Sequence, residues 1–352
     1  MRMHSAILYI FRRLLYTLSV FAGIILLVFM LFRGFGDPAV MLAGQSGNAE
    51  TIRNIRTDLR LDLPVWKQLL HYVNDLSPVC IHERETIEQK SLRGIFWGNE
   101  LAVGLKVPYL GKSYQTGRPV WDVLMQALPG TLMLALAAMC IAVPAGIGLG
   151  MWGAVRRNTL FDRISMIVSI AGISMPSFFM AVIFIWLFAI LFQSYTGLPV
   201  YGNWYEINEV TGEQVIAFRN WVLPALTLGI RPLAFITQLT RSAMIDVLHQ
   251  DYIKTAYAKG LPSRKVYWRH ALPNALNPVI TAVTGWFAEL LAGAFFIEYI
   301  FGWQGIGSVT VRALEQLDYP VLMGAVLISA LIFMVVHFFT DVLYRMIDPR
   351  IR

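Results

Sequence analysis

The chain has 352 residues, a net charge of +7, 57% hydrophobic residues and only 14% charged ones. A soluble domain carries about a quarter charged residues, so the composition argues against a soluble enzyme and for a polytopic membrane protein. The positive residues sit at the ends of apolar runs rather than in one basic patch, which argues against a nucleic-acid binder.

Arg12 and Arg13 precede Leu14–Phe32, 19 residues without a charge. A secretory signal has an apolar core of about 7–15 residues, so this longer run is read as a retained first span. Arg33–Val120 holds 11 Lys and Arg and 9 Asp and Glu, with no run long enough to cross. It is predicted to be extramembrane. Ile52, Ile55 and Leu59, then Val65, Leu69, Tyr72 and Val73, recur at helical spacing and predict short amphipathic helices within Asn48–Leu76. Val79–Gly117 has Gly and Pro punctuation and no clear period.

Further spans are predicted at Thr131–Trp152, Ile164–Phe192 (with Met175-Pro176 inside), Trp221–Thr240 (with Arg231-Pro232), Val279–Ile300 (with Glu289) and Val321–Leu343. The expected fold is therefore all-α with six transmembrane helices. It divides into 1–32 (N-terminus and first helix), 33–120 (outer segment) and 121–352 (a five-helix core with a loop at 241–278). Fifteen Lys and Arg lie on the side of the two termini and the 241–278 loop, against Arg219 and Arg312 in the short loops opposite. Positive residues favour the cytoplasm and long loops are exempt, so both termini are predicted to be cytoplasmic and 33–120 to face outward.

Two nucleotide-like motifs lose to plainer readings. Gly111-Lys112-Ser113 resembles the end of a P-loop, but Lys106 stands where its first glycine belongs. Gly148-x-Gly150-x-x-Gly153 follows no strand; with Gly146 it reads as close helix packing in lipid. Cys80 and Cys140 predict neither a disulfide nor a metal site, and are read as structural. Arg231 and Glu289 lie about ten residues into their spans. Charge there is expensive, so the two either line a polar path or pair with each other.

The most specific stretch is Asp251–Pro278, DYIKTAYAKGLPSRKVYWRHALPNALNP. A short Ala-rich helix ends at Gly260, which is suited to a left-handed helix cap. Pro262 prevents its continuation, and Leu272-Pro273 leads into the next span. This describes a short rigid lever docked on a cytoplasmic partner. The residues singled out are Tyr252, Thr255, Ala256, Ala258, Lys259, Gly260, Leu261, Leu272 and Pro273, with Arg231, Glu289, Met175 and Pro176 as candidates for a translocation path.

The stretch resembles the EAA loop of bacterial ABC-importer permeases, with Thr255, Ala256, Gly260, Leu272 and Pro273 on its pattern. Lys254 stands where the general pattern has an acid, as in the B-type permeases of the dipeptide/oligopeptide/nickel subfamily. Arg12–Leu15, Gly36-Asp37-Pro38-Ala39, Leu61-Asp62-Leu63-Pro64, Leu128–Leu132 and Ser174–Phe178 are similar to that subfamily. So are Glu298–Gly307 (EYIFGWQGIG), Asp318–Val321 and Asp348-Pro349-Arg350. Ser77–Tyr114 departs from it, being longer than usual.

The resemblance implies a type I ABC-importer permease in the bacterial inner membrane. It would pair with a homologous C-type permease, two cytoplasmic ATPases and an external solute-binding protein. No cofactor is expected in this chain; ATP and Mg would belong to the ATPases, so the chain is not expected to be an enzyme. Peptides are the commonest cargo implied. The alternatives are a secondary transporter or channel working alone, and a membrane scaffold for an outer-face assembly resting on 33–120.

Overall fold

A computed structural model describes residues 2–34, 39–40, 49–58, 61–208, 211–292 and 294–347. Gly36-Asp37-Pro38 and the Asp348-Pro349-Arg350 tail lie outside the described residues. The chain is mostly helical and forms two compact units, 1–126 with 312–331, and 127–311 with 332–352.

In the first unit, helix α1 (Arg2–Gly34) is followed by α2 (Ala49–Asp58) and α3 (Val65–Leu76), at the places where helical spacing predicts amphipathic helices. The Leu61-Asp62-Leu63-Pro64 turn is held by Gln68, whose Nε2 donates to the carbonyls of Leu61 (2.8 Å) and Leu63 (2.7 Å). Pro64 then opens α3, a position where its missing N–H is harmless.

The stretch that lacks clear periodicity is not helical. Strands β1 (Val79–Glu83), β2 (Gly94–Trp97) and β3 (Leu101–Lys106) form an antiparallel sheet in the order β1-β3-β2, with α4 (Arg84–Lys90) between the first two. The all-α expectation therefore needs this small sheet added. Its alternation is inverted, which hides it. The inward set is Cys80, His82, Ala102, Gly104 and Lys106, while Val79, Ile81, Leu101, Val103 and Leu105 face outward.

The inward Lys106 finds an acceptor next to the sheet. Lys106 donates to the Asp75 carbonyl, and burial pushes its ammonium pKa down. Asp75 pairs with Lys90 at 2.6 Å. Ser113 of the P-loop-like triplet is buried and donates to Asp318 Oδ2 at 2.5 Å, while the Tyr114 amide donates to Asp318 Oδ1 at 3.1 Å. That triplet and the Asp318-Tyr319-Pro320 turn thus form one closed junction.

In the second unit, α5 (Val120–Val155) enters from the first. It is followed by α6 (Leu160–Ser174), by α7 (Ser177–Phe184) with a wider helical turn to Leu191, and by a hairpin of β4 (Tyr205–Ile207) and β5 (Gln214–Ile216). Next come α8 (Phe218–Leu248), α9 (Asp251–Ala258), α10 (Leu272–Ala292) and α11 (Phe295–Ile300), then α12 (Ile306–Glu315) and α13 (Tyr319–Ile347), of which 312–331 belongs to the first unit. Helices α5 and α8 run through their internal prolines, as membrane helices tolerate.

Among the described residues, α1, α5, α8 and α13 are long and apolar enough to cross a membrane, and the pair from Leu160 to Leu191 makes a fifth. That pair is bent by 114° at Met175-Pro176, so the predicted third span is broken rather than straight. The residue before a proline is disfavoured from helix, and Met175 is extended (ψ 136°). The predicted fifth span corresponds to α10, which starts earlier, at Leu272, and whose Asn274, Asn277, Thr281, Thr284 and Glu289 make it less apolar.

The glycines of α5 act as packing residues. A Cβ on Gly146 would lie 2.8 Å from Ile236, and one on Gly150 would lie 2.5 Å from the Thr237 carbonyl. Their small size lets α8 lie directly against α5.

Candidate functional site

The stretch that the sequence singles out folds as a short helix packed on one side. Helix α9 begins after an extended Gln250 and carries Asp251 in its first turn, where the helix dipole favours an acid. Lys254 Nζ lies 2.8 Å from Asp251 Oδ1 and holds that carboxyl below its usual range.

The C-terminal end closes as a Schellman motif. Gly260 N–H donates to Tyr257 O (2.9 Å), Leu261 N–H donates to Ala256 O (3.3 Å), and Gly260 takes φ +76°. Pro262 then starts a new turn that runs through Val266–Ala271 into α10. The pKa of the Tyr267 phenol is raised, chiefly by the neighbouring Tyr257 phenol of α9.

One face of α9 is used up inside the chain. Ile253 and Ala256 are buried among Met151 and Ala154 of α5, Met244 of α8, and Val266, Ala271, Leu272 and Ala275, with Leu261 packed against them. Tyr252, Thr255, Tyr257, Ala258, Lys259 and Gly260 remain exposed. Of the residues singled out, Ala256 and Leu272 therefore face the chain's own core and are not free to seat in a partner. Leu261 is half-buried, and Pro273 is exposed in the first turn of α10.

Sequence reasoning missed the seat of this helix. Ile253 and Met244 carry no signal beyond being apolar. Asp162 and Arg241, 79 positions apart, form a two-pronged ion pair (Oδ1–Nε 2.5 Å, Oδ2–Nη2 2.7 Å) that fastens the start of α6 to α8, ten residues before α9. Thr159 caps α6, and the Asn158 amide donates to Asp162 Oδ2.

The mid-membrane candidates are placed as follows. Arg231 is half-buried, its guanidinium 5.7 Å from the centroid of the Trp286 ring, and its buried Nε has no hydrogen-bond partner. Glu289 is exposed on α10. Among the described residues no ion pair joins them, so the pairing alternative is not what the structure adopts. Met175 is half-buried and Pro176 exposed at the broken helix.

A second missed feature joins two of the motifs. Glu298 is fully buried; it accepts from Thr131 Oγ1 (2.7 Å) and from the Ser308 amide (3.1 Å). Thr131 accepts from the Ile306 amide (2.8 Å), and Trp303 Nε1 donates to the Gly130 carbonyl (2.9 Å). The Leu128–Leu132 and Glu298–Gly307 motifs are thus two halves of one buried polar knot.

Residues 146–352 match the family described as binding-protein-dependent transport system inner membrane component, and residues 6–135 match the model of its N-terminal region. The chain belongs to this family. It is 37% identical to the di/tripeptide transport system permease protein DppB of Pseudomonas aeruginosa and 34% identical to the dipeptide transport system permease protein DppB of Escherichia coli K12, each over 98% of both chains. It is 32% identical to the glutathione transport system permease protein GsiC of Escherichia coli O1:K1, again over 98% of both.

Its fold is shared with a chain of the MetNI methionine ABC transporter (TM-score 0.51, 16% identity, 65% of this chain and 97% of that one). As a member of the family, the chain is a multi-pass inner-membrane permease subunit of an ABC importer, a system that works with ATPase and binding-protein partners.

Proposed function

We propose that this permease carries di- or tripeptides, pairs with a homologous C-type permease, and is driven through α9 by two cytoplasmic ATPases that hold the ATP and Mg. The cargo reading rests on full-length relatives named for dipeptide and di/tripeptide transport. The coupling reading rests on one observation: α9 is clasped on its Ile253/Ala256 face and bare on the other. A lever has to be rigid against its own body and open to whatever pushes it, and α9 meets both conditions.

In this reading the partner contacts are Tyr252, Thr255, Ala258, Lys259 and the Gly260 turn, while Ala256, Leu261 and Leu272 hold the lever in place. Both termini and α9 face the cytoplasm, and 33–120 faces the binding protein's side, in line with the charge asymmetry. Closure of the ATPases pushes α9, and the helices packed on it move as a body between inward- and outward-open states. The chain itself hydrolyses nothing.

The test is purification of the chain with its neighbours. ATPase subunits co-purify, and Gly260→Trp leaves the protein in the membrane but uncouples ATP hydrolysis from dipeptide uptake. Uptake at the wild-type rate by the chain alone in liposomes without nucleotide overturns the proposal in favour of a stand-alone transporter.

A further inference from the structure

The exposed surface of α10 is unlike that of the other long helices. On α1 and α13 the exposed side chains include Leu14, Leu18, Leu27, Val335 and Phe339, as lipid contact requires. On α10, Asn274, Asn277, Thr281 and Glu289 are exposed, with Ile280 the large apolar side chain among them. At 100° per residue, Asn274, Asn277, Thr281 and Glu289 fall within about 120° of one another and form one polar stripe. A carboxyl in hydrocarbon is costly, so this stripe faces water or protein.

The neighbouring helix brings an opposite charge to the same level. Trp286 of α10 lies against Arg231 (5.7 Å) and against Phe235 one turn further along α8 (5.9 Å). Glu289 is three residues from Trp286, less than one turn. The acid therefore lies within one turn, along α10, of the residue against which the base packs. They are not ion-paired with each other, and the buried Nε of Arg231 lacks any acceptor. Had the pair existed for stability, the two groups would be expected to meet.

We infer that Arg231 and Glu289 form a divided charge pair that receives the two termini of a zwitterionic short peptide as it passes, Arg231 facing the carboxylate and Glu289 the ammonium. The inference rests on the peptide reading above and assigns the groups that recognise the cargo. Two residues of extended chain span roughly 7 Å, so a dipeptide bridges charges that are separated rather than bonded. Two point contacts also suit a path, where cargo must be held loosely enough to leave. The Trp286 ring fixes the guanidinium in place without consuming its hydrogen bonds.

The experiment uses the whole complex, with partner permease, ATPases and binding protein, in liposomes, and labelled dialanine as cargo. Arg231→Gln and Glu289→Gln each lower the maximal uptake rate about tenfold, at unchanged half-saturation and unchanged amount of assembled complex. Arg231→Lys and Glu289→Asp, which keep the charge, retain at least half the wild-type rate.

Wild-type rates in both neutral variants overturn the inference while leaving the cargo reading intact. A fall in rate matched by a fall in assembled complex also overturns it, because that marks a structural role. A wild-type complex that couples ATP to uptake of another solute but carries no dialanine overturns the cargo reading and this inference together.

Discussion

Replacing Glu298 by glutamine changes one atom in a site with no room for compensation. The carboxyl is fully buried and uses one oxygen for the Thr131 hydroxyl and the other for the Ser308 amide. Glutamine offers one oxygen and one NH2 group. If the oxygen serves Ser308, the NH2 group meets Thr131 Oγ1, which already accepts from Ile306, and the threonine proton loses its acceptor. If the oxygen serves Thr131, the NH2 group confronts the Ser308 N–H. Either way one buried donor is unmet, which costs about 1–3 kcal/mol. Glu298→Ala removes both acceptors and leaves a void, so its cost rises to about 3–5 kcal/mol.

Reversible unfolding of the purified protein in micelles measures both losses. A double-mutant cycle with Thr131→Val adds the check on mechanism, with an expected coupling of about 1 kcal/mol or more because the two residues share one bond. A Glu298→Gln protein within about 0.5 kcal/mol of wild type, or strict additivity in the cycle, refutes the reasoning.

Three further outcomes follow from single contacts. Asp162→Asn leaves the Arg241 guanidinium without its counter-charge. Because Arg241 is about a fifth exposed, the loss is expected near 2–3 kcal/mol, at or below the lower end for breaking a buried pair, and is read by thermal melting. Gly260→Ala places a Cβ that meets nothing within 4 Å but keeps φ +76°. Its penalty is therefore backbone strain alone, about 1–2 kcal/mol, seen as faster amide exchange at Gly260 and Leu261. Cys80 lies 1% exposed against β3, and burial pushes its thiol pKa up. Less thiolate and no access predict maleimide labelling at pH 7 at least tenfold slower in the folded protein than in urea.

Charge-free runs are legible because the bilayer demands about 20 apolar residues in series, a property that one dimension records. The helix–Gly–Pro–Leu-Pro punctuation of Asp251–Pro278 is local too, since a Schellman turn joins residues five apart. Hence α9, its Gly260 cap and most of the long helices stand where the sequence places them. The 114° break at Met175-Pro176 was legible only as a proline inside a run. Four other prolines, Pro129, Pro144, Pro224 and Pro232, stay inside unbroken helices, so the residue type alone does not separate the two outcomes.

What the sequence by itself determined, then, was membership of the membrane class, the order of the long helices and the existence of the short helix α9, because each follows from local hydropathy, short-range periodicity and capping chemistry. Only the tertiary structure decided which face of that helix is free, since Ala256 and Ala258 are the same residue on paper, yet the first is buried and the second exposed. It likewise decided that Arg231 and Glu289 stay apart while Asp162 and Arg241 meet. Long-range pairing depends on how helices are seated on one another, through close contacts such as Gly146 on Ile236, and no spacing along the chain records that seating.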